Sequence, residues 1–282
     1  MRLHNSSAEV YVPDGSAADA ALSRTTHLAV AAHQDDIEIM AYHGILECFG
    51  KSDKGFAGVT VTNGSGSPRD GLYAKYSDEE MQVVRRKEQK KAAVVGEYSA
   101  HVFLDYSSSA VKDAANIQVV EDLKQIIAAS KPQVIYTHNL ADKHDTHVAT
   151  ALRLIRALRE LPGHSRPQRL YGCEVWRNLD WLNDNDKVVF NVEAHENLAM
   201  SLVGVFDSQV AGGKRYDLAT MGRRRANATY LASHGVDEST SLIFGTDLTP
   251  LIEDHQLDAG EYIQGFINRF AQEVSDRIAR LT

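Results

Sequence analysis

An apolar run of small and β-branched residues, Thr25-Thr26-His27-Leu28-Ala29-Val30-Ala31-Ala32, stops abruptly at His33-Gln34-Asp35-Asp36. Such a run without polar alternation reads as a strand buried on both faces, the kind found in parallel sheets covered by helices. Beyond the aspartates, Ile37, Met40, Ala41, Gly44, Ile45 and Phe49 recur at helical spacing. Strand, tight turn and helix in that order constrain the chain toward an α/β architecture. In such sheets ligands bind at the carboxyl ends of strands, and a helix N-terminus favours an anionic side chain such as Asp35 or Asp36. His33 and Asp36 offer a nitrogen and an oxygen ligand to a borderline metal such as zinc. Asp35 is then left near the ion, free to handle a proton. Taken alone, the segment fits an N-capping aspartate beside a chance histidine equally well.

A second cluster shifts that balance. Val134-Ile135-Tyr136-Thr137-His138, introduced by Lys131-Pro132, is another short buried strand. It enters a polar loop, Asn139 to Lys143, after which His144-Asp145-Thr146-His147 opens a helix carrying Val148, Ala151, Leu152, Ile155 and Leu158. His144 and His147 are three apart and share one face of a helical turn. Two strand ends bearing His/Asp clusters converge on one rim of a parallel sheet. Three protein ligands with the fourth position open to water make a catalytic zinc site, and these clusters supply that set with an aspartate and a histidine to spare.

The two turns resemble those of the PIG-L (LmbE-like) family of metal-dependent de-N-acetylases. That family carries His-Pro-Asp-Asp-Glu after its first strand and His-Pro-Asp-His after a later one. Here they stand as His33-Gln34-Asp35-Asp36-Ile37 and His144-Asp145-Thr146-His147. The resemblance implies that His33, Asp36 and His147 bind the metal, that Asp35 is the general base, and that His144 is the acid or oxyanion stabiliser, in its imidazolium form. Gln34, Ile37, Asp145 and Thr146 replace the family's Pro, Glu, Pro and Asp. None of these removes a ligand or the base, but Thr146 takes a carboxylate away from the second cluster. The resemblance runs over about 26–209. Within it, Arg85 and Glu88 match an Arg-x-x-Glu pair whose arginine lies near substrate. Ser208-Gln209 matches a Ser-Gln pair, with Phe206 where a histidine is usual.

The strand over 56–62 enters Asn63-Gly64-Ser65-Gly66-Ser67-Pro68-Arg69-Asp70-Gly71, which lacks the Gly-Lys-Ser/Thr ending of a P-loop and the third glycine of a dinucleotide fingerprint. It reads as a hydrogen-bonding rim. Ser77-Asp78-Glu79-Glu80 is a capping box opening a long charged helix over 77–97, and a strand over 100–104 ends at Asp105. Asn63, Arg69, Arg85 and Asp105 are therefore the expected substrate-binding residues. A helix over 116–130 is structural. Strands over 169–176 and 188–192 follow, then an apolar-basic helix with Arg223-Arg224-Arg225, whose better reading is a solvated or salt-bridged face. The last helix, over 259–281, is amphipathic and should pack on the body or on another subunit.

The expected architecture is α/β, a Rossmann-like and mostly parallel sheet flanked by helices. It comprises a polar N-terminal arm over 1–25 and one domain over 26–282, with a C-terminal α/β elaboration from about 178. A formal charge of -8 excludes a dedicated nucleic-acid binder. No apolar run approaches the ~20 residues of a membrane span, and the first residues lack a signal-peptide core, so a cytoplasmic protein is expected. Cys48 and Cys173 fit no zinc motif and read as reduced, buried thiols. The expected function is a zinc-dependent amide hydrolase, with Fe2+ as the alternative ion, removing acetyl from a small N-acetylated sugar or sugar conjugate; a homo-oligomer is compatible. Two rivals stand beside it. One is a non-heme iron oxygenase using two histidines and a carboxylate, a site at home in all-β jelly rolls. The other is a sugar-binding protein without catalysis, which would need neither the base nor His144.

Overall fold

The computed structural model describes residues 1–282. Its strands are β1 (Glu9–Tyr11), β2 (His27–Ala31), β3 (Phe56–Thr62), β4 (Ala100–Tyr106), β5 (Val134–His138), β6 (Arg169–Cys173), β7 (Val188–Asn191) and β8 (Leu242–Asp247). They form one eight-stranded sheet in the order β1-β4-β3-β2-β5-β6-β8-β7. The five central strands run parallel, while β1 and the β8–β7 pair add antiparallel edges. Every residue of β2 and β3 is buried, as their unbroken apolar runs require.

The pleat sorts the core into two layers. Leu28, Val30, Val59, Val102 and Leu104 face the helices Ala18–Ser23, Ile117–Ser130 and Asp145–Glu160. Ala29, Ala31, Phe56, Tyr136 and Cys173 face the helices Asp36–Met40, Tyr42–Cys48 and Glu196–Gly204. The expected single helix after Asp36 is two, broken at Ala41. In the second, a Cβ on Gly44 would stand 2.5 Å from the ring of Tyr136, so only glycine lets this helix lie on β5.

Chain order makes the sheet grow outward from β2 in one direction, through β3 and β4, and then resume on the other side with β5. The loops after β2 and β5 therefore part at a topological switch point, where a cleft opens. Both histidine-aspartate turns sit there.

The strand Leu242–Asp247 has no counterpart among the sequence expectations, although Leu242-Ile243-Phe244 is a short apolar run. It lies between β6 and β7, so the C-terminal part is continuous with the sheet. Arg224 binds that part to the first turn. It is buried, donates to the backbone carbonyls of Glu38 (2.8 Å) and Ile39 (3.1 Å), and lies over the Tyr42 ring. Arg223 donates to the Val175 carbonyl, and Arg225 pairs with Glu196. Only Arg225 behaves as the expected solvated, salt-bridged face.

His101 on β4 is fully buried, with Nε2 2.9 Å from Thr60 Oγ1 and Nδ1 unpartnered. Burial, with Arg86 adding to it, lowers its pKa from 6.5 to about 3. The unfolded chain takes up this proton below 6.5 and the native state does not, so stability falls as pH drops from 6.5 toward 3. By pH 5 the loss from this group is about 2 kcal/mol. In urea titrations, His101→Gln should shrink the stability difference between pH 6.5 and 5 by about that amount; an unchanged difference would show that His101 is not buried neutral.

Candidate metal centre

Residue 35 is where β2 turns into the next helix, and it does so with φ of 93°. An L-residue rarely adopts this conformation, which costs about 1–3 kcal/mol. Neighbours hold it in place. The Asp35 N–H donates to Gln89 Oε1 at 3.2 Å, and Arg85 Nη2 lies 3.2 Å from Asp35 Oδ2 while donating to the Gln34 carbonyl. Asp35 makes no capping hydrogen bond, so its side chain is not the helix cap that the bland reading assumed. The turn instead sends Asp36 to one side and Asp35 to the other.

Asp36 meets the second turn. Its Oδ2 accepts the His33 backbone N–H at 2.7 Å and lies 3.2 Å from His33 Nδ1 and 3.3 Å from His147 Nε2. His33 Nδ1 and His147 Nε2 are 3.2 Å apart. Donors at the corners of a tetrahedron with bonds of about 2.0–2.1 Å are separated by about 3.3 Å. Two imidazole nitrogens and a carboxylate oxygen at that spacing fit a divalent ion. Two further groups have ligand atoms within 4.8 Å of one another: His33, His144 and His147, without a carboxylate, and Asp36, His138 and His147.

Electrostatics separates the members. Burial opposes the Asp36 charge, but His147, His138 and His33 outweigh it and hold the carboxyl well below its ordinary 3.8. Burial also opposes the charge on His147, yet Asp36 and Asp142 keep its pKa above 6.5. Burial pushes Asp35 up to about 7 even against Arg85. For His144, burial first, then His147 and His33, lower the pKa below 6.5. That direction works against the imidazolium form expected for it.

Several contributors had no place in the sequence reading. Asp142 Oδ2 stands 3.5 Å from His147 Nδ1 and accepts the Trp176 N–H, while Oδ1 accepts the His144 N–H. It supplies, from a different position, a carboxylate to the cluster that Thr146 had lost, and it serves His147 rather than His144. His138 stacks on His147 at 3.9 Å, and its Nε2 accepts the Ala32 N–H at 2.9 Å, tying the ends of β2 and β5. Glu38, buried and pushed up to about 7 by that burial, receives Gln89 and Tyr98 at 2.7 Å each. Asp142 lay in plain view, two residues before His144, but no motif marks it.

A cleft of about 330 Å³ opens over this centre, lined by His33, Asp35, Asp36, Arg85 and His144 and by Gly64, Trp176, Lys214 and Tyr216 among others. Of the expected substrate residues only Arg85 lines it. Glu88 turns away from Arg85 and takes the Ser208 N–H and hydroxyl at 2.7 and 2.6 Å. Asn63 caps its own loop through the Ser65 N–H, and Arg69 is spent on Asp78 and the carbonyls of Ser65 and Tyr76. Asp105 pairs with Arg86 at 2.7 Å on the far side of the helix Asp78–Val95. All three are drawn off by nearer partners. The loop reaches the cleft through Gly64 instead, where φ is 77° and a Cβ would stand 2.5 Å from Gln34 Oε1.

Residues 28–158 match the model of the family described as PIG-L, GlcNAc-PI de-N-acetylase. Residues 28–158 are thus similar to a PIG-L domain. Both turns fall inside the matched stretch. Among solved structures, the 4-carboxy-2-hydroxymuconate hydratase GalB from Pseudomonas putida KT2440 is 15% identical, with TM-score 0.62 over 79% of this chain and 96% of that one. The N,N'-diacetylchitobiose deacetylase from Pyrococcus horikoshii is 17% identical, with TM-score 0.59 over 78% of this chain and 83% of that one. The zinc-inhibited form of the teicoplanin deacetylase Orf2 is 15% identical, with TM-score 0.57 over 79% and 98%. At these identities the likeness establishes the α/β fold. Curated protein sequences gave no match.

If Asp142 orients His147, Asp142→Asn should weaken binding of a divalent metal about 10- to 100-fold while far-UV circular dichroism is unchanged. Competition against a chromogenic chelator reads this directly, and an unaltered affinity would remove Asp142 from that role.

Proposed function

We propose that this protein is a metal-dependent amide hydrolase that removes acetyl from a small N-acetylated sugar or sugar conjugate. The observation that carries the reading is the division of labour between adjacent aspartates. Asp36 joins His33 and His147 at ligand spacing, while Asp35, one residue before it, faces the same cleft beside Arg85. Pure binding has no use for a second carboxylate raised to about 7 in that place. The family match and the deacetylases among the structural neighbours support the same reaction class.

His33, Asp36 and His147 would hold the ion; bound there, it supplies Lewis-acid polarisation of the acetamide carbonyl and makes water more acidic. Asp35, with a pKa near the operating pH, accepts the proton of the attacking water, and that proton passes to the leaving amine as the C–N bond breaks. Arg85 keeps enough of it ionised to do so. His144 presents a ring N–H to the developing oxyanion as a hydrogen-bond donor, and Asp142 keeps its backbone fixed. The Trp176 ring offers an apolar wall to one face of a sugar. A zinc-inhibited neighbour makes the choice between zinc and another divalent ion, Fe2+ included, part of the test.

The α/β sheet removes the jelly-roll context on which the oxygenase alternative rested. A hydratase, the reaction named for GalB, would use the same metal and base but leave amides intact. No helix is long and apolar enough to cross a membrane.

The test pairs two variants on N-acetylated sugars with amine detection. Asp36→Asn should lose metal. Asp35→Asn should retain it and lose at least about 10²-fold in kcat, with KM changing far less. Near-wild-type turnover in Asp35→Asn would remove it as the base, and failure of the metal-loaded wild type to release amine from any acetamide would refute the hydrolase reading.

A further inference from the structure

The C-terminal helix Ala259–Leu281 is anchored at its start and bare at its end. Tyr262, Ile263 and Phe266 pack on the core, and Arg269 pairs with Asp186. Beyond them the helix continues with Ile267 and Phe270 39% exposed, Ile278 61% and Leu281 77%. Burying a helix face like this is what gives most helices their stability in water; here Trp181 covers only an edge of Phe270, and the stripe beyond it is left open.

The stripe is symmetric. Ile267, Phe270, Ile278 and Leu281 stand seven and four residues before Val274 and four and seven after it. At 100° per residue, all five lie within about 40° of one line along the helix. An antiparallel copy of the helix, related by a two-fold axis beside Val274, therefore sets Ile267 against the partner's Leu281, Phe270 against the partner's Ile278, and Val274 against its own equivalent.

The charges select this arrangement. One flank of the stripe carries Glu273 and Arg277, about 100° and 60° from its centre on the same side, already paired within the helix. The other flank carries Ala271, Ser275 and Asn268, all uncharged. In an antiparallel two-fold pair, like flanks meet, and Arg277 comes within about 3 Å along the axis of the partner's Glu273. In a parallel pair, the charged flank would meet the uncharged one. The surface is thus complementary to itself in one orientation. Ile267 and Leu281 are about 21 Å apart along the helix, so the two bodies sit at opposite ends.

We propose that the protein is a homodimer joined by the antiparallel pairing of Ala259–Leu281 about Val274. The two-fold position makes the register testable. Under mild oxidation, Val274→Cys should form an intermolecular disulfide with its own equivalent. Ile278→Cys should not, because the two copies are then about 12 Å apart along the axis. The double variant Phe270→Cys/Ile278→Cys should cross-link. Both native cysteines are buried, and the wild-type chain serves as the control. Ile278 is exposed, whereas Val274 is half-buried and the Phe270 ring meets Trp181, so far-UV circular dichroism accompanies each cysteine variant. By sedimentation equilibrium of the full chain, Glu273→Arg or Arg277→Glu alone should weaken the dimer by roughly 2- to 30-fold, from two symmetric surface pairs; combining them should restore it. A monomeric wild type without the Val274→Cys cross-link would overturn the proposal. So would cross-linking of Ile278→Cys alone, the mark of a parallel pair, or equal affinity in the single and double charge variants.

Discussion

A charged carboxylate cannot be taken out of water without compensation, and Asp36, only 3% exposed, is such a group. Its compensation comes from both halves of the sheet. The His33 N–H and ring lie on its own turn, His138 comes from the last residue of β5, and His147 arrives from the helix beyond it. These partners reach it only if β2 and β5 are neighbours, in register, and parallel. The site and the strand order are therefore one requirement. A sheet that placed β3 on the other side of β2 would bury Asp36 against nothing.

Around that hub the molecule spends its polar residues on holding two turns. Gln89 ties the Asp35 backbone to Glu38, and Arg224 closes the carbonyl end of the short helix Asp36–Met40 from a segment 186 residues away. Asp142 joins the His147 ring, the His144 backbone and the Trp176 backbone. Such supports fix the rotamers of the side chains that line the cleft. The C-terminal segment thus belongs to the machinery of the first turn, through Arg224, and to the wall of the cleft, through Lys214 and Tyr216.

The parallel sheet was legible because its strands are unbroken apolar runs that end in chemistry. His33, Asp36 and His147 were legible because two such ends carry ligand-type residues at turn spacing. The supports were not. Asp142, Gln89 and Arg224 act across 5, 54 and 186 residues of chain, and no local pattern records such a pairing. The rim residues Asn63, Arg69 and Asp105 lie away from the cleft lining for the converse reason. Asn63, Arg69 and Asp105 stand at strand ends, but Ser65, Asp78 and Arg86 are nearer than any ligand. Proximity to a strand end locates a loop, and local competition for hydrogen bonds decides which of its side chains face the cleft. The strand Leu242–Asp247 went unread because six residues around a glycine carry too little periodicity to stand out.

The central claim is that one ion is shared by these two turns through His33, Asp36 and His147. Crystals of the metal-loaded protein, measured on either side of the absorption edge of the bound metal, locate that ion without reference to any assay. The account places a single anomalous peak about 2.0–2.2 Å from His33 Nδ1, Asp36 Oδ2 and His147 Nε2, with His144 outside the coordination sphere. A peak bonded to His33, His144 and His147, or an empty site in protein that hydrolyses its substrate, would contradict it.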